Sequence, residues 1–378
     1  MKGYFDYNAT TPIDEELKEK VSQWMDLGDP YSPYDRGRRA AGLMEMARAA
    51  FTGTPGLEQY DLVFTSGGTE SNRLALEFLY SRSLNAGLTD AFINRNKVLI
   101  SALDHSSVFD QAKHLRNLGY DVMLIPSNSS GCIELDFVQE NAGEDTALVS
   151  VTYASGETGV LQPVGEVSRI CEDRGIRFHC DAAQAPGKTG VSWYQFRPST
   201  ISLSSHKMGG PPGAGALLYR KGVAPTATFF GEHDPLRPGM LNLPGLLGMA
   251  EAWRRVQQEL GRSLASLRTL RAMFEKELQD RIPGVRILGM NSERLANTSA
   301  VVVPGVSAER MVRKLDECGF QVGSLAGSPG DPGPRVVLEM GIDPSLAPCS
   351  IRISMGYLTT SREISELLDS IVSIARGD

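Results

Sequence analysis

Short apolar runs alternate with longer segments of helical period over residues 61–205, and this alternation constrains the fold more than any other feature. The apolar runs have the length and β-branched content of buried strands, and they lie at 61–66, 97–102, 121–127, 146–153, 176–183 and 200–205. Segments such as 70–84, 107–119 and 164–175 carry apolar residues three and four positions apart. Strands that alternate with helices are typical of βαβ units, so we predict an α/β fold with a mostly parallel central sheet and helices on both faces.

The pattern changes after about residue 245. A long helical stretch follows, with further strands such as TSAVVVPG and CSIRISMG and a closing helix from Ser361. This change predicts a large domain at 15–249 and a smaller α+β domain made of 1–14 and 250–378.

Composition limits the classes of partner and the cellular location. The chain has 378 residues and a formal net charge of −7, which argues against a nucleic-acid groove or an anionic membrane surface as the main binding partner. No apolar run approaches the roughly 20 residues of a membrane span, and the first residues, MKGYFDYNATTP, lack the apolar region of a signal peptide. The five cysteines are scattered without a CxxC pair, so we expect no disulfide framework, no metal cluster and a cytoplasmic protein with reduced thiols.

Polar clusters follow several predicted strands, where α/β proteins bind their ligands. In TSGGTESN, Gly68 and Thr69 open a helix, so their N–H groups and the hydroxyl could hold a phosphate. An ordinary glycine turn with Thr69 as the helix N-cap explains the same residues. In HCDAAQAPGK, Asp181 and Gln184 end an apolar strand, where a buried carboxylate requires a partner. An exposed Asx turn is the alternative interpretation.

Two further clusters contain a histidine and a lysine. His105 follows the apolar run VLISAL, and an isolated histidine in such a place is commonly a hydrogen-bonded loop residue. Lys207 in SSHKMGG ends a buried strand beside glycines, although lysines normally lie where the ammonium group is hydrated. Together, the four clusters offer a place for a phosphate, a carboxylate, a histidine ring that could lie beside a planar ligand, and an amine held in one place. These are the parts of a site for pyridoxal 5'-phosphate (PLP).

The sequence also resembles a known family over nearly its whole length. The resemblance lies in a series of motifs that occur in order, and they are YFDYNATTP, FTSGGTESNRLAL, DHSSV, GETGVLQPVGEVSRICEDRGIRFHCDAAQAPGK, SLSSHKMGGPPGAGALLYRK, RPGMLNLPGLLGMAEAW and SIRISMG. They resemble the class V aminotransferases among the fold type I PLP enzymes, and within these the cysteine desulfurase group. The resemblance implies the fold type I architecture and a homodimer with shared active sites, in which EHDPLRPGM contributes to the neighbouring site.

The resemblance assigns roles to individual residues. Lys207 would hold the cofactor aldehyde as a Schiff base, Asp181 would pair with the pyridinium nitrogen, and His105 would stack on the ring. Gln184 would donate toward the ring oxygen. The residues that would hold the phosphate are Gly68, Thr69, Ser204 and His206. The residues that would contact the substrate are Arg352, as the partner of its carboxylate, together with Asn8 and Gly156.

The sequence departs from the family pattern at three places. Cysteine desulfurases carry a nucleophilic cysteine on a loop before the SIRIS-type strand, but residues 322–341 contain no cysteine. The first part of this segment, 322–335, is also too rich in Gly and Pro for a helix or a central strand. In TYASGETGV, the paired asparagines of the family are replaced by Ser155 and Gly156, and in RPGML the family's threonine is replaced by Met240.

These departures favour a reaction that needs no thiolate. Once displaced by the substrate amine, Lys207 could remove the Cα proton, and a sulfur substituent on the β-carbon would then leave. We therefore expect β-elimination from cysteine or an S-substituted cysteine, with Gly156 leaving room for the substituent. A desulfurase that uses Cys318 or Cys349 is an alternative, as are transamination, decarboxylation and oxidative deamination. A catalytically inactive scaffold is a further alternative, but it would not require retention of the site residues.

Overall fold

Seven strands form the larger of two sheets in the computed structural model, which describes residues 2–80, 94–223, 225–227, 230–325 and 334–377. The strands are β2 (Tyr60–Thr65), β3 (Lys97–Ser101), β4 (Asp121–Ile125), β5 (Thr146–Thr152), β6 (Arg177–Asp181), β7 (Thr200–Ser204) and β8 (Gly215–Arg220). Their order is β2-β8-β7-β6-β5-β3-β4, and only β8 runs antiparallel to its neighbours. The prediction of a mostly parallel central sheet is confirmed.

Helices cover both faces of this sheet. They are α1 (Glu15–Trp24), α2 (Asp35–Thr52), α3 (Gly68–Tyr80), α4 (Ser106–Phe109), α5 (Gln111–Asn117), α6 (Leu135–Asn141) and α7 (Val164–Asp173). Successive residues of a strand face opposite sides, and accordingly Leu99 of β3 packs in the core with Phe51 of α2. Its neighbours Val98 and Ile100 pack in a second core with Leu76 of α3. Helices on both faces were predicted, and the two cores confirm them.

The predicted helices differ from the observed ones in detail. The segment 107–119 forms two short helices, α4 and α5, because Asp110 lies between them as a cap. The helix predicted at 70–84 begins at Gly68 and is observed to Tyr80, and its last predicted residues lie outside the described part of the chain.

A second sheet has five strands in the order β1-β11-β12-β10-β9. These strands are β1 (Gly3–Phe5), β9 (Arg286–Ile287), β10 (Thr298–Val302), β11 (Phe320–Ser324) and β12 (Ser350–Ser354). The helices of this part are α8 (Leu243–Arg281), α9 (Ala308–Glu317), α10 (Arg335–Glu339) and α11 (Ser361–Arg376). The sheet and helices α8, α9 and α11 enclose a separate apolar core that includes Phe5, Phe274 and Ile353.

One sequence prediction was wrong at the edge of the Gly- and Pro-rich stretch. Val322 and its next two neighbours belong to β11, which lies between β1 and β12 and is therefore a central strand. Val322 is apolar and packs in the core. Position 323 requires glycine because the neighbouring side chains leave no room for a Cβ. A Cβ on Gly323 would lie 2.8 Å from Asp6 Oδ1 and 3.0 Å from Arg352 Nε. Here the close approach of neighbouring groups overrides the low strand propensity of glycine.

Helix α8 connects the two cores. It has 39 residues, which corresponds to about 58 Å at 1.5 Å per residue. Asn242 caps its first turn by accepting a hydrogen bond from Gly245 N. Trp253 packs in the core of the larger sheet, whereas Phe274 packs in that of the smaller sheet. The predicted boundary between residues 249 and 250 lies within this helix, and the division into two domains stays a prediction. Within the described residues, no helix is long and apolar enough to span a membrane.

Candidate active site

The carboxyl ends of β6 and β7 meet the start of α3. Asp181 ends β6, Ser204 ends β7, and Gly68 is the first residue of α3. A Cβ on Gly68 would lie 3.4 Å from the Cβ of Ser204, so the two segments are in close contact. His206 and Lys207 follow Ser204 in a short 3₁₀ turn. The structure therefore brings together the segments of Gly68, Asp181 and Lys207, whose roles toward a cofactor stay predictions.

Asp181 is held by hydrogen bonds to both oxygens. Its Oδ2 accepts from Asn72 Nδ2 at 2.8 Å, and its Oδ1 accepts from Ala183 N at 2.9 Å. The side-chain oxygen of Asn72 lies 3.0 Å from His179 Nε2, and the other ring nitrogen of His179 lies 2.9 Å from Thr200 Oγ1. Burial lowers the pKa of His179 to about 4, so the ring is neutral and donates to Asn72. This chain of contacts fixes the direction of the Asp181 carboxylate.

His105 joins the same network from the opposite side. Asn72 Nδ2 lies 2.8 Å from Ser107 Oγ, which lies 2.8 Å from His105 Nδ1. The nitrogen of His105 also caps α4 by accepting from Ser107 N at 3.2 Å. His105 is exposed, and its stacking on the cofactor ring stays a prediction. The sequence did not single out Asn72 or His179, although both lie in the motifs that contain Thr69 and Asp181.

Lys207 is a partly buried amine with a backbone partner. The Nζ of Lys207 donates to the carbonyl oxygen of Asn8 at 2.5 Å. The carbonyl oxygen of Lys207 accepts a hydrogen bond from Thr11 Oγ1 at 2.9 Å. Burial, together with the Arg352 guanidinium, lowers the pKa of Lys207 to about 8. The amine therefore has a substantial neutral fraction near that pH, as a nucleophile or a general base requires.

A second lysine orients Gln184. Lys188 Nζ donates to Gln184 Oε1 at 2.6 Å, which directs Gln184 Nε2 toward the carbonyl oxygen of Asn8 at 3.0 Å. Lys188 is buried, and the cost of burial and the nearby Lys207 place its pKa well below the usual value. Lys188 was present in the QAPGK motif, but the sequence alone did not reveal this contact.

The side chain of Asn8 points away from Lys207. It is fully buried, and its Nδ2 donates to Gly156 O at 3.1 Å and to Thr298 Oγ1 at 2.8 Å. Its Oδ1 accepts from Asn297 Nδ2 at 3.1 Å. The atom of Asn8 that faces the lysine is its carbonyl oxygen, so direct contact between the Asn8 side chain and substrate stays a prediction.

Arg352 lies on β12 and is held by two acceptors. Its guanidinium contacts Asp6 Oδ1 at 2.6 Å and Gly156 O at 2.9 Å. Nε of Arg352 is buried and has no hydrogen-bond partner among the residues that the structure describes. A Cβ on Gly156 would lie 2.9 Å from Gln184 Nε2, so this glycine lets the peptide approach both Gln184 and Arg352. The expectation that Gly156 leaves room for a sulfur substituent was wrong, because Gln184 occupies that position.

The remaining phosphate candidates lie at the start of α3 and after β7. Thr69 is exposed in the first turn of α3. His206 is half-buried, and burial together with the cations of Lys207 and Lys188 lowers its pKa to about 4. A neutral His206 can donate one hydrogen bond to an anion. The N–H groups at the start of α3 and the hydroxyl of Ser204 provide further donors.

These residues fit PLP. Gly68, at the start of α3, lies beside Ser204, where N–H groups and a hydroxyl could hold a phosphate. The oriented carboxylate of Asp181 suits a protonated ring nitrogen, and Lys207 provides an amine of lowered pKa for the aldehyde. The described residues contain no cluster of three or more potential metal ligands.

Similarity to known proteins identifies the family of this chain. Residues 3–367 match the family described as aminotransferase class-V, and the chain belongs to this family. Its members with this fold are PLP-dependent enzymes, and PLP is the cofactor of this protein. The cysteine desulfurase IscS of Dictyoglomus turgidum is 30% identical and covers 98% of this chain and 94% of its own length. The cysteine desulfurase IscS of Salmonella paratyphi C is 31% identical, with 97% of this chain and 91% of its own covered.

Solved structures agree with this assignment. A NifS-like protein is 28% identical, covers 100% of both chains and superposes with a TM-score of 0.90. The NifS-like protein from Rickettsia africae is 27% identical, covers 99% of both chains and superposes with a TM-score of 0.87. The predicted fold type I architecture is confirmed.

Proposed function

We propose that the protein cleaves the C–S bond of cysteine or an S-substituted cysteine by β-elimination and releases the thiol directly. The similarity to cysteine desulfurases supports C–S chemistry at the PLP site. The observation that distinguishes direct release from sulfur transfer is the distribution of cysteines. The segment 322–341, which precedes the strand of Arg352, contains none.

The two cysteines nearest in sequence to that segment lie in unsuitable places. Cys318 is exposed and follows the last residue of α9. Gly323, near the C-terminal end of β11, pairs with Arg352. At the ~3.3 Å rise of a strand residue, Cys318 lies roughly 15 Å along the chain from that pair. Cys349 packs against an apolar cluster that includes Val337 and Met340.

The other cysteines are poor nucleophiles. Cys171 is buried, and burial raises its pKa to about 12. Burial raises the pKa of Cys180 well above its usual range, and it also raises the pKa of the half-buried Cys132. Because the thiolate is the reactive form, these three side chains are unsuited to accept sulfur.

The site residues support elimination as follows. When bound, PLP supplies an electron sink for the negative charge that develops at the substrate Cα. Lys207 Nζ, with its lowered pKa, accepts the Cα proton, and Arg352 binds the substrate carboxylate in place of one of its present acceptors. The Asn72 contact holds the Asp181 carboxylate in one direction.

The overall reaction balances without an oxidant or a reductant. The Cα–H and Cβ–S bonds break, the electron pair of the Cβ–S bond leaves with sulfur as the thiolate, and 2-aminoacrylate remains. Water then converts 2-aminoacrylate to pyruvate and ammonium. Sulfur transfer would instead yield alanine and a persulfide on a cysteine.

Product analysis tests this proposal. Purified holoenzyme is incubated with L-cysteine and with S-ethyl-L-cysteine, and pyruvate, alanine, sulfide and ethanethiol are measured. We expect pyruvate equal to the thiol released, loss of both in Lys207→Ala, and no change in Cys318→Ser or Cys349→Ser. Alanine with protein-bound persulfide, abolished by either cysteine substitution, would establish a desulfurase instead. If none of these products forms, the inactive-scaffold alternative gains support.

We further propose a homodimer in which the segment EHDPLRPGM approaches the neighbouring site. Met240 in this segment is 62% exposed, which suits a residue that contacts a second copy. Arg237 contacts Glu70 Oε1 at 2.9 Å, so the segment already lies beside the start of α3. A cytoplasmic location stays a prediction. Analytical ultracentrifugation of wild type and Met240→Glu tests the dimer, which we expect the variant to weaken.

A further inference from the structure

A guanidinium and a carboxylate beside the site each have a buried atom without a partner. Arg335 Nη1 and Glu157 Oε2 are inaccessible to solvent and make no hydrogen bond to any described residue. The two side chains also form no ion pair with each other in the described part of the chain. Unpartnered buried polar atoms are costly, and each requires an explanation such as a bound water, ion or ligand.

Arg335 is fixed next to the turn that carries His105. It is the first residue of α10, and its Nη2 donates to the carbonyl oxygen of Asp104 at 2.6 Å. Its guanidinium also lies 3.8 Å over the ring of Phe109. These two contacts, one to the residue before His105 and one to α4, hold the guanidinium plane and leave Nη1 unused.

Glu157 lies next to the arginine that would bind the substrate carboxylate. The preceding residue, Gly156, accepts a hydrogen bond from Arg352 Nη1 at 2.9 Å. Burial raises the pKa of Glu157, and the charges of Arg335 and Arg352 oppose this shift. Glu157 therefore lies near both guanidinium groups.

We propose that Arg335 and Glu157 bind the far end of an S-substituent that itself ends in an amino-acid group. The distal carboxylate would contact Arg335, the distal ammonium would contact Glu157, and Arg352 would bind the carboxylate at the reacting end. This inference rests on the proposed lyase function. It names the substrate class as a cysteine whose sulfur carries a second amino acid.

The charges favour a group that carries both signs. A simple anion would satisfy Arg335 and leave Glu157 buried without a partner, and a simple cation would do the reverse. A zwitterionic end satisfies both and adds no net charge to the site.

L-Lanthionine is a suitable probe, since its thioether sulfur joins two alanine units. Elimination at one end breaks its Cα–H and Cβ–S bonds and releases L-cysteine, and the remaining 2-aminoacrylate gives pyruvate and ammonium with water. Three analogues separate the charges. S-(2-Carboxyethyl)-L-cysteine carries only the distal carboxylate, S-(2-aminoethyl)-L-cysteine carries only the ammonium, and S-propyl-L-cysteine carries neither.

The test compares these substrates in Arg335→Met and Glu157→Gln holoenzymes, with Arg313→Met as a surface control because Arg313 is 65% exposed. Loss of one charge-assisted contact should raise KM by about ten- to a hundredfold. We expect Arg335→Met to affect lanthionine and the carboxyethyl analogue, and Glu157→Gln to affect lanthionine and the aminoethyl analogue. S-Propyl-L-cysteine should respond to neither variant. Equal losses for all four substrates would show a structural role and overturn the proposal, as would no loss.

Binding separates this inference from the proposed function. The affinity of lanthionine for Lys207→Ala holoenzyme is measured by titration calorimetry, with and without Arg335→Met or Glu157→Gln. A ten- to hundredfold loss of affinity specific to the charged ligands supports the subsite even if no thioether yields pyruvate. Pyruvate from every thioether, with affinities that neither substitution changes, leaves the lyase in place and refutes the subsite.

Discussion

Asp104 should give the folding stability of this protein a specific dependence on pH. The side chain is fully buried and accepts hydrogen bonds from Ser150 Oγ at 2.8 Å and from Thr152 N at 2.6 Å. Burial raises its pKa from 3.8 to about 7, with a further contribution from the charge of Asp181, although its hydrogen bonds and Arg335 oppose the shift.

The sign of the effect follows from the two pKa values. The folded state has the higher pKa, so between about pH 4 and pH 7 it binds a proton that the unfolded state does not bind. The free energy of unfolding therefore decreases as pH rises through this range. Between pH 5 and pH 8, the Asp104 contribution should decrease by roughly 2 to 3 kcal/mol.

Asp104→Asn removes the titrating group and keeps the shape of the side chain. Urea unfolding of both proteins is measured at pH 5 and pH 8, at one protein concentration and with saturating PLP. The difference in unfolding free energy, Asp104→Asn minus wild type, should become more favourable to the variant by roughly 2 to 3 kcal/mol at the higher pH. Titrations of other groups cancel in this difference. An equal difference at both pH values would refute the assignment of a raised pKa to Asp104.

Three further predictions concern the site. In cofactor-free protein, covalent capture of PLP by Lys207 requires the neutral amine, so its rate should rise about tenfold from pH 7 to pH 9; a rate independent of pH would contradict the lowered pKa. Gly156→Asn should displace Gln184, since the added Cβ lies 2.9 Å from its Nε2, and kcat/KM should decrease more for S-propyl-L-cysteine than for L-cysteine; an unchanged ratio would count against this. Asp6→Ala leaves Arg352 without its 2.6 Å partner and should reduce the free energy of unfolding by about 2 kcal/mol, which thermal and urea unfolding can check against the milder Asp6→Asn.

The sequence predicted those features that depend on local patterns. The strands of the larger sheet were predictable because they are runs of apolar, β-branched residues between helical segments. The positions of Asp181 and Lys207 at the site were predictable because the carboxyl ends of parallel strands meet at one edge of a sheet.

The remaining features depend on contacts between distant parts of the chain. The carbonyl oxygen of Asn8 accepts from Lys207 and Gln184, and no periodicity in the sequence indicates that a backbone atom has this role. The orientation of Asp181 depends in the same way on Asn72 of a different helix. The central position of β11 was missed because pairing with its neighbours overrides the weak strand propensity of its residues.

The burial of Asn8 has a consequence for biosynthesis. Asn8 N donates to Ser354 Oγ at 3.0 Å, so the position of Asn8 depends on β12, which is synthesised 346 residues later. At 5–20 residues per second, the ribosome needs roughly 20 to 70 s to add the residues between them. Until then, the carbonyl oxygen of Asn8, which accepts the hydrogen bond from Lys207, has no fixed position. A nascent chain that already contains Lys207 but lacks β12 therefore cannot complete the site. Cofactor acquisition should therefore follow synthesis and folding of β12, and truncation before β12 should leave a protein that does not retain PLP.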